Sequence, residues 1–187
     1  MLAAIAEVPR SRFVPAQYVG MADFDTPIPI SYAQVTTQPS LVARMVEGLS
    51  LAGDERVLEI GTGYGWQTAL LAQLARDVFS VELFADIAAA ARAALAGREN
   101  VVVVVGDGSE GLPEQAPFDA ILVAAAYPSV PVPLAEQLAE SGRLVQPLGP
   151  GGDEDVILFE KRRGELQNVR SLGGARFVRL RGRHGFA

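Results

Sequence analysis

The stretch Val57–Ala75, VLEIGTGYGWQTALLAQLA, carries Gly61, Gly63 and Gly65 within five residues, between a short apolar run and an Ala/Leu-rich helical pattern. Strand, glycine turn and helix in that order predict a β-loop-α unit, with the loop at the carboxyl end of the strand, where open α/β sheets bind ligands. Glycines there let the backbone approach a ligand closely and adopt positive φ.

The same alternation continues downstream. DVFSV is strand-like and is followed by the helical FADIAAAARAALAG; then come VVVVV, Val101–Val105, and FDAILVAAA, Phe118–Ala126. The unbroken valines predict a strand covered on both faces, as in parallel sheets. Strands separated by helices imply right-handed crossovers and helices on both sides of the sheet, so the fold class is α/β with a mostly parallel sheet. After a Gly-rich loop, GPGGDED, the stretch VILFEKRRGELQNVRSL reads as an antiparallel hairpin at the sheet edge, turning near Gly164. Upstream, TTQPSLVARMVEGLSLAG predicts a helix that starts at hydroxyl residues and Pro39 and aligns Leu41, Val42, Met45, Val46 and Leu49 on one face. The Pro-rich DFDTPIPISYAQV before it predicts a loop or extended arm.

Composition narrows the function. The chain has 187 residues, 49% of them hydrophobic, enough for one well-packed domain. A single domain over 1–187 is expected, with 1–55 an N-terminal arm and helix, 56–148 a ligand-binding core and 149–187 C-terminal antiparallel strands. The net charge of −6 argues against nucleic acid. The basic RFVRLRGRHGF near the C-terminus alternates with apolar residues and reads as a solvated strand face. Without Cys there are no thiolate metal sites, disulfides or Cys nucleophile, and the one histidine, His184, leaves a Ser-His-Asp hydrolase only a terminal residue to use. No metal site is expected. No apolar run approaches the ~18 to 20 residues that span a bilayer, and MLAAIAEVPRSRF lacks a basic leader, so a cytoplasmic protein without membrane partners is expected.

The spacing Gly61-x-Gly63-x-Gly65 departs from the G-x-G-x-x-G of dinucleotide folds. Glu59, inside the strand, would repel a pyrophosphate and suits a ligand with positive charge, such as a sulfonium. Glu82 ends the next strand, where a carboxylate can accept both hydroxyls of a ribose. Asp107, in GDG after the valines, could accept from an adenine amine, with Gly108 beside it. In this order the three acids describe S-adenosylmethionine, with Glu59, Gly61, Thr62, Gly63, Gly65, Glu82, Asp107 and Gly108 lining it.

Over nearly its whole length the chain resembles the protein-L-isoaspartate (D-aspartate) O-methyltransferases, through VPRSRFVP, TTQPSLVARM, VLEIGTGYGWQTALLA, GDGSEGLPEQAPFDAILVAAA and RFVRL. The resemblance implies a Rossmann-like class I S-adenosylmethionine-dependent methyltransferase fold. It also implies methylation of the α-carboxylate of L-isoaspartyl residues in damaged proteins and peptides, which then collapse to a succinimide. In the family a serine stands at the position of Thr37 and is the active-site residue, so Thr37 is expected to face the reacting carboxylate, with Val35, Thr36 and Gln38 beside it. A carboxylate is ionised at pH 7 and needs no base, only positioning. Val178 falls on the family's substrate-facing strand and is expected to serve the core as well.

The chain departs from the family at Ala33, Val35 and Thr36, at Ala124, at Tyr127, which replaces a small residue, and at Arg179, which replaces a proline. These positions surround the expected peptide site and spare the cofactor site. Two other readings stay open: a divergent carboxyl methyltransferase acting on another peptide or small acid, and a non-catalytic S-adenosylmethionine-binding protein.

Overall fold

The computed structural model describes residues 1–187. In chain order the elements are α1 (Leu2–Glu7), β1 (Ile28–Pro29), β2 (Val35–Thr36), α2 (Pro39–Leu49), β3 (Arg56–Ile60), α3 (Trp66–Leu74), β4 (Asp77–Glu82), α4 (Ala85–Ala94), β5 (Val101–Val105), β6 (Phe118–Val123), α5 (Val132–Gln137), β7 (Leu138–Leu148), β8 (Glu154–Arg162) and β9 (Glu165–Ala175). Seven strands form one sheet in the order β5-β4-β3-β6-β7-β8-β9. The first five are parallel, and β8 and β9 add an antiparallel edge. The chain leaves β3 toward β4 on one side and later returns to β6 on the other. This reversal opens a crevice at the carboxyl ends of β3 and β6.

Strand alternation sorts the core. Val57, Ala120, Leu122 and Val145 pack toward α1, α2, α3 and α4 in one cluster. Leu58, Ile60, Ile121, Val123 and Leu144 pack the other way, against Leu134 of α5, Leu138 at the start of β7 and Leu180 of the C-terminal segment. The five apolar residues expected along one face of α2 are all buried. β8 and β9 join through Arg163 and Gly164, both at positive φ (55° and 79°), a two-residue type I′ hairpin at the expected place.

Two expectations are corrected. The valine strand β5 is the outermost of the sheet, and Val102 and Val105 are 48% and 41% exposed. The connection from β5 to β6 holds only two short 3-10 turns, at Gly108–Glu110 and Pro113–Gln115, so no helix covers its second face. The segment RFVRLRGRHGF is likewise not a strand of the sheet. It runs extended past β9 and pairs only through single bridges, Ala126 with Arg179 and Arg181 with Phe186. It is nonetheless pinned: Leu180 N–H donates to Ala126 O (2.8 Å) and Phe186 N–H to Leu180 O (2.7 Å).

The edge placement sets a testable contrast. Val102→Thr and Val105→Thr are expected to change unfolding free energy by no more than about 0.5 kcal/mol, whereas Ile121→Ala should cost about 2–5 kcal/mol by cavity formation. Urea denaturation of the three variants measures it; comparable losses at all three sites would contradict the edge assignment.

Candidate functional site

The glycine loop begins where β3 ends. Gly61, Gly63 and Gly65 all adopt positive φ (93°, 54° and 93°), as the sequence requires of a tight strand-to-helix turn. Gly65 precedes the first residue of α3, and a Cβ there would lie 3.0 Å from the Leu95 side chain, so the position demands both the conformation and the missing atom. Glu82, at the end of β4, reaches across to this loop. Its Oε2 accepts the Gly63 N–H (2.9 Å) and its Oε1 the Phe84 N–H (3.1 Å). Burial pushes its pKa up against the pull of these amides. Each carboxylate oxygen keeps a second lone pair for a further donor.

A cleft of about 940 Å³, counting its space open to solvent, lies over the crevice. Its lining includes Gly61, Thr62, Gly63, Gly65, Glu82 and Gly108 from the glycine loop and the strand ends, together with Val35, Thr36 and Thr37 from before α2 and Val178 from the C-terminal segment. All ten were expected from the sequence, and the fold brings the two sets, from distant parts of the chain, to a single cavity. Val178 is half-buried, lines the cavity and also packs against the second core cluster. The Thr37 hydroxyl takes part in no hydrogen bond within the chain, while its carbonyl accepts from Arg10 (3.1 Å).

Three expected residues lie elsewhere. Glu59 is fully buried behind the loop, on the α3 side of β3. Its Oε2 accepts from the hydroxyls of Thr68 and Ser80 (2.5 Å each) and its Oε1 from Gln67 Nε2 (2.9 Å). Ser80 Oγ in turn meets Thr62 Oγ1 at 2.6 Å, so Glu59 acts on the loop through a hydroxyl relay and not by facing a ligand. Asp107 turns to the C-terminal segment. Its Oδ1 accepts from Ser109 N–H (2.9 Å) and Oγ (2.7 Å), and its Oδ2 from Arg183 N–H (2.6 Å). A Cβ at Gly182 would fall 1.9 Å from Asp107 Oδ1, so only glycine lets the segment come this close. Gln38 is the third: its amide donates to Ser40 Oγ (3.3 Å), outside the cleft. Neither Thr36 nor Thr37 caps α2; Asp25 of the arm takes the Ser40 N–H (2.8 Å) instead.

Sequence reasoning passed over Arg10. It is 4% exposed, and its guanidinium donates to the carbonyls of Ala22 (3.3 Å), Phe24 (3.3 Å), Thr26 (3.0 Å) and Thr37 (3.1 Å) and to Thr36 Oγ1 (2.9 Å). The guanidinium carbon also lies 5.5 Å from the Trp66 ring centroid, at the start of α3. The arm is thereby tied to the start of α3. Its tip is held by Tyr32, stacked on Phe84 with centroids 4.1 Å apart and planes 3° from parallel. Arg10 lies inside VPRSRFVP, and an arginine set among apolar residues was the available signal. For Trp66, the lone tryptophan directly after Gly65, the signal was its position.

Residues 1–185 match the family described as protein-L-isoaspartate(D-aspartate) O-methyltransferase. A curated relative of that name from Myxococcus xanthus is 50% identical, covering 97% of this chain and 88% of its own. Another from Methanoculleus marisnigri is 48% identical over 100% of this chain and 85% of its own. The chain belongs to this family. Among solved structures, a protein-L-isoaspartate O-methyltransferase superposes with a TM-score of 0.86 at 31% identity, covering 98% of this chain and 61% of that one. The fold is also that of a Plasmodium falciparum protein named as such a methyltransferase and solved with S-adenosyl-L-homocysteine, at 20% identity and a TM-score of 0.82 over 96% of this chain and 88% of that one. The fold is that of the class I S-adenosylmethionine-dependent methyltransferases.

Burial raises the Glu59 pKa from 4.5 to about 7, with the bonds from Ser80, Thr68 and Gln67 opposing. Between those values the folded chain holds a proton that the unfolded chain releases, so stability falls as pH rises through the window. The native protein is expected to lose about 3 kcal/mol relative to Glu59→Gln between about pH 4.5 and 7.5. Denaturant unfolding at a series of pH values reads the difference, and a flat one would contradict the shift. Arg10→Met should cost about 3 kcal/mol, because it strands several carbonyls, and should speed hydrogen exchange of the arm amides.

Proposed function

We propose that the protein transfers the methyl group of S-adenosylmethionine to the α-carboxylate of L-isoaspartyl residues in damaged proteins and peptides, whose ester then closes to a succinimide. The observation that carries the reading is the shared cleft, lined by the glycine loop and Glu82 together with Thr36 and Thr37. Family membership and the relatives' names support the same reaction. Nothing in the cleft favours a small-acid acceptor or a purely binding role. The whole chain is proposed to work as one domain, the arm of 1–55 serving the acceptor, 56–148 the cofactor and 149–187 the sheet edge and cleft wall, in the cytoplasm.

The residues present fit the cofactor. Glu82 retains one acceptor site on each oxygen for the two ribose hydroxyls. A Cβ at Gly108 would fall 2.5 Å from Ile60, a cradle that keeps the wall flat beside Glu82. Leu83, Phe84 and Ile87 offer apolar surface for an adenine ring. The bound cofactor supplies an electrophilic methyl on a sulfonium: the carboxylate oxygen attacks the methyl carbon, the C–S bond breaks with its electron pair going to sulfur, and S-adenosylhomocysteine and a neutral ester result.

The chain's task is therefore positioning. The nucleophile arrives ionised, so no side chain need remove a proton. The Thr37 hydroxyl, free of internal partners, can donate one modest hydrogen bond that orients the carboxylate without quenching it. Arg10 fixes the Thr36 hydroxyl and the Thr37 carbonyl from behind, and the arm limits water at the reacting atoms.

The pure protein is to be incubated with methyl-labelled S-adenosylmethionine and matched peptides holding isoaspartate or normal aspartate. Base-labile label on the isoaspartyl peptide alone is the expected result, and label on neither would overturn the reading. Thr37→Ala should lower kcat by about 10- to 100-fold, as loss of an orienting contact does, with cofactor affinity retained.

A further inference from the structure

The basic C-terminal stretch is unused by the reaction as described. It carries Arg176, Arg179, Arg181 and Arg183 within eight residues of a chain whose net charge is −6. Instead of forming a solvated strand, it lines the cleft through Val178–Arg181, and Arg179 and Arg181 share the cavity with Thr37. The chain's three ion pairs are Arg76–Asp77, Arg162–Glu160 and Arg183–Glu110, so neither of these two arginines is neutralised. The sole carboxylate lining the cleft is Glu82, which is bound to the Gly63 and Phe84 amides.

Arg179 is also held in place. Its Nε donates to Pro150 O (3.1 Å), and its guanidinium carbon lies 4.9 Å from the Phe186 ring centroid. Its stem passes over Gly151, where a Cβ would lie 2.6 Å from Arg179 Cγ. Phe186 meets Tyr127 edge-on at 5.2 Å. Tyr127 and Arg179, two of the departures from the family pattern, thus converge on one ring. The terminal nitrogens of Arg179 make no hydrogen bond within the chain, and Arg181 makes none through its side chain. A guanidinium so pre-positioned loses less freedom on pairing with a carboxylate than a free one does.

We propose that Arg179 and Arg181 form an acceptor subsite for carboxylate side chains flanking the isoaspartyl residue, so that this protein prefers acidic damaged segments. The proposal rests on the methylation reading above and deepens it by naming the substrate class. The nucleophile itself is served by the weak Thr37 donor, because a guanidinium paired to it would lower its reactivity. The two arginines act one step outward, on the residues beside it, and set affinity more than rate.

The test uses two peptides with one isoaspartyl residue each, flanked on both sides by Glu in one and Gln in the other. At low salt the Glu peptide should show kcat/KM about fivefold higher, through KM, as two exposed ion pairs supply. The ratio should fall toward one near 1 M salt, where the Debye length is about 3 Å. In the R179Q/R181Q double variant the ratio should collapse through a rise in KM for the Glu peptide, and R179K/R181K, which keeps the charges without the stacking on Phe186, should restore it in part. A ratio near or below one in the native protein overturns the proposal, as does a ratio unchanged in the double variant or an equal loss on both peptides. Label on neither peptide overturns the methylation reading itself; label on both without a ratio overturns this proposal alone.

Discussion

The buried guanidinium of Arg10 is the interaction on which the cleft depends. The segment before α2 has few regular backbone bonds of its own: β1 and β2 are two residues each. Its order comes from Arg10, which collects three arm carbonyls, the Thr36 hydroxyl and the Thr37 carbonyl around one charge. Burial lowers the Arg10 pKa, with Asp25 countering, yet a guanidinium stays charged inside a protein. Desolvating it is costly, and those oxygens, together with the Trp66 ring, are what offset the cost. The arm and the start of α3 are therefore coupled, since both surround the same cation.

Glu59 does the corresponding work on the other side. A carboxyl with no exposure is tolerated because Gln67, Thr68 and Ser80 surround it. Those donors come from α3 and β4, so one side chain ties strand, helix start and neighbouring strand together. The Ser80–Thr62 contact extends the tie to the loop. Two buried ionisable groups, Arg10 and Glu59, hold the geometry from behind, while the charged side chains lining the cleft itself are Glu82, Arg179 and Arg181.

Much of this was legible in the chain. Apolar runs, glycine turns and helical periodicity marked β3, α3, β4, α4 and β6, because each is local and repeats with its own period. The glycines of the loop, Glu82 and Gly108 were likewise legible as residues of the cleft from type and order, and the Thr36-Thr37 pair through the family resemblance. Glu59 was misplaced although the signal existed: in a strand, residues two apart share a face, and Val57 lies on the α3 side. Asp107 was assigned outward because its partners, Ser109 and the Arg183 amide, include one distant in sequence. The valine run looked doubly covered since apolar composition does not reveal whether a crossover supplies a helix. The C-terminal arginines alternated as a strand would, yet an unpaired extended segment shows the same alternation.

By itself the sequence determined the α/β class and the position of the glycine loop with the residues of its turn, because strand and helix periodicity and glycine backbone freedom are short-range properties. Only the tertiary structure decided which carboxylates face the cleft and which are consumed behind it, that an arm held by Arg10 lines the cleft, and that the arginine-rich segment lines it too. Those outcomes depend on pairing between groups far apart in the chain, where burial makes most donors and acceptors find a partner, and no local pattern states which partner that will be.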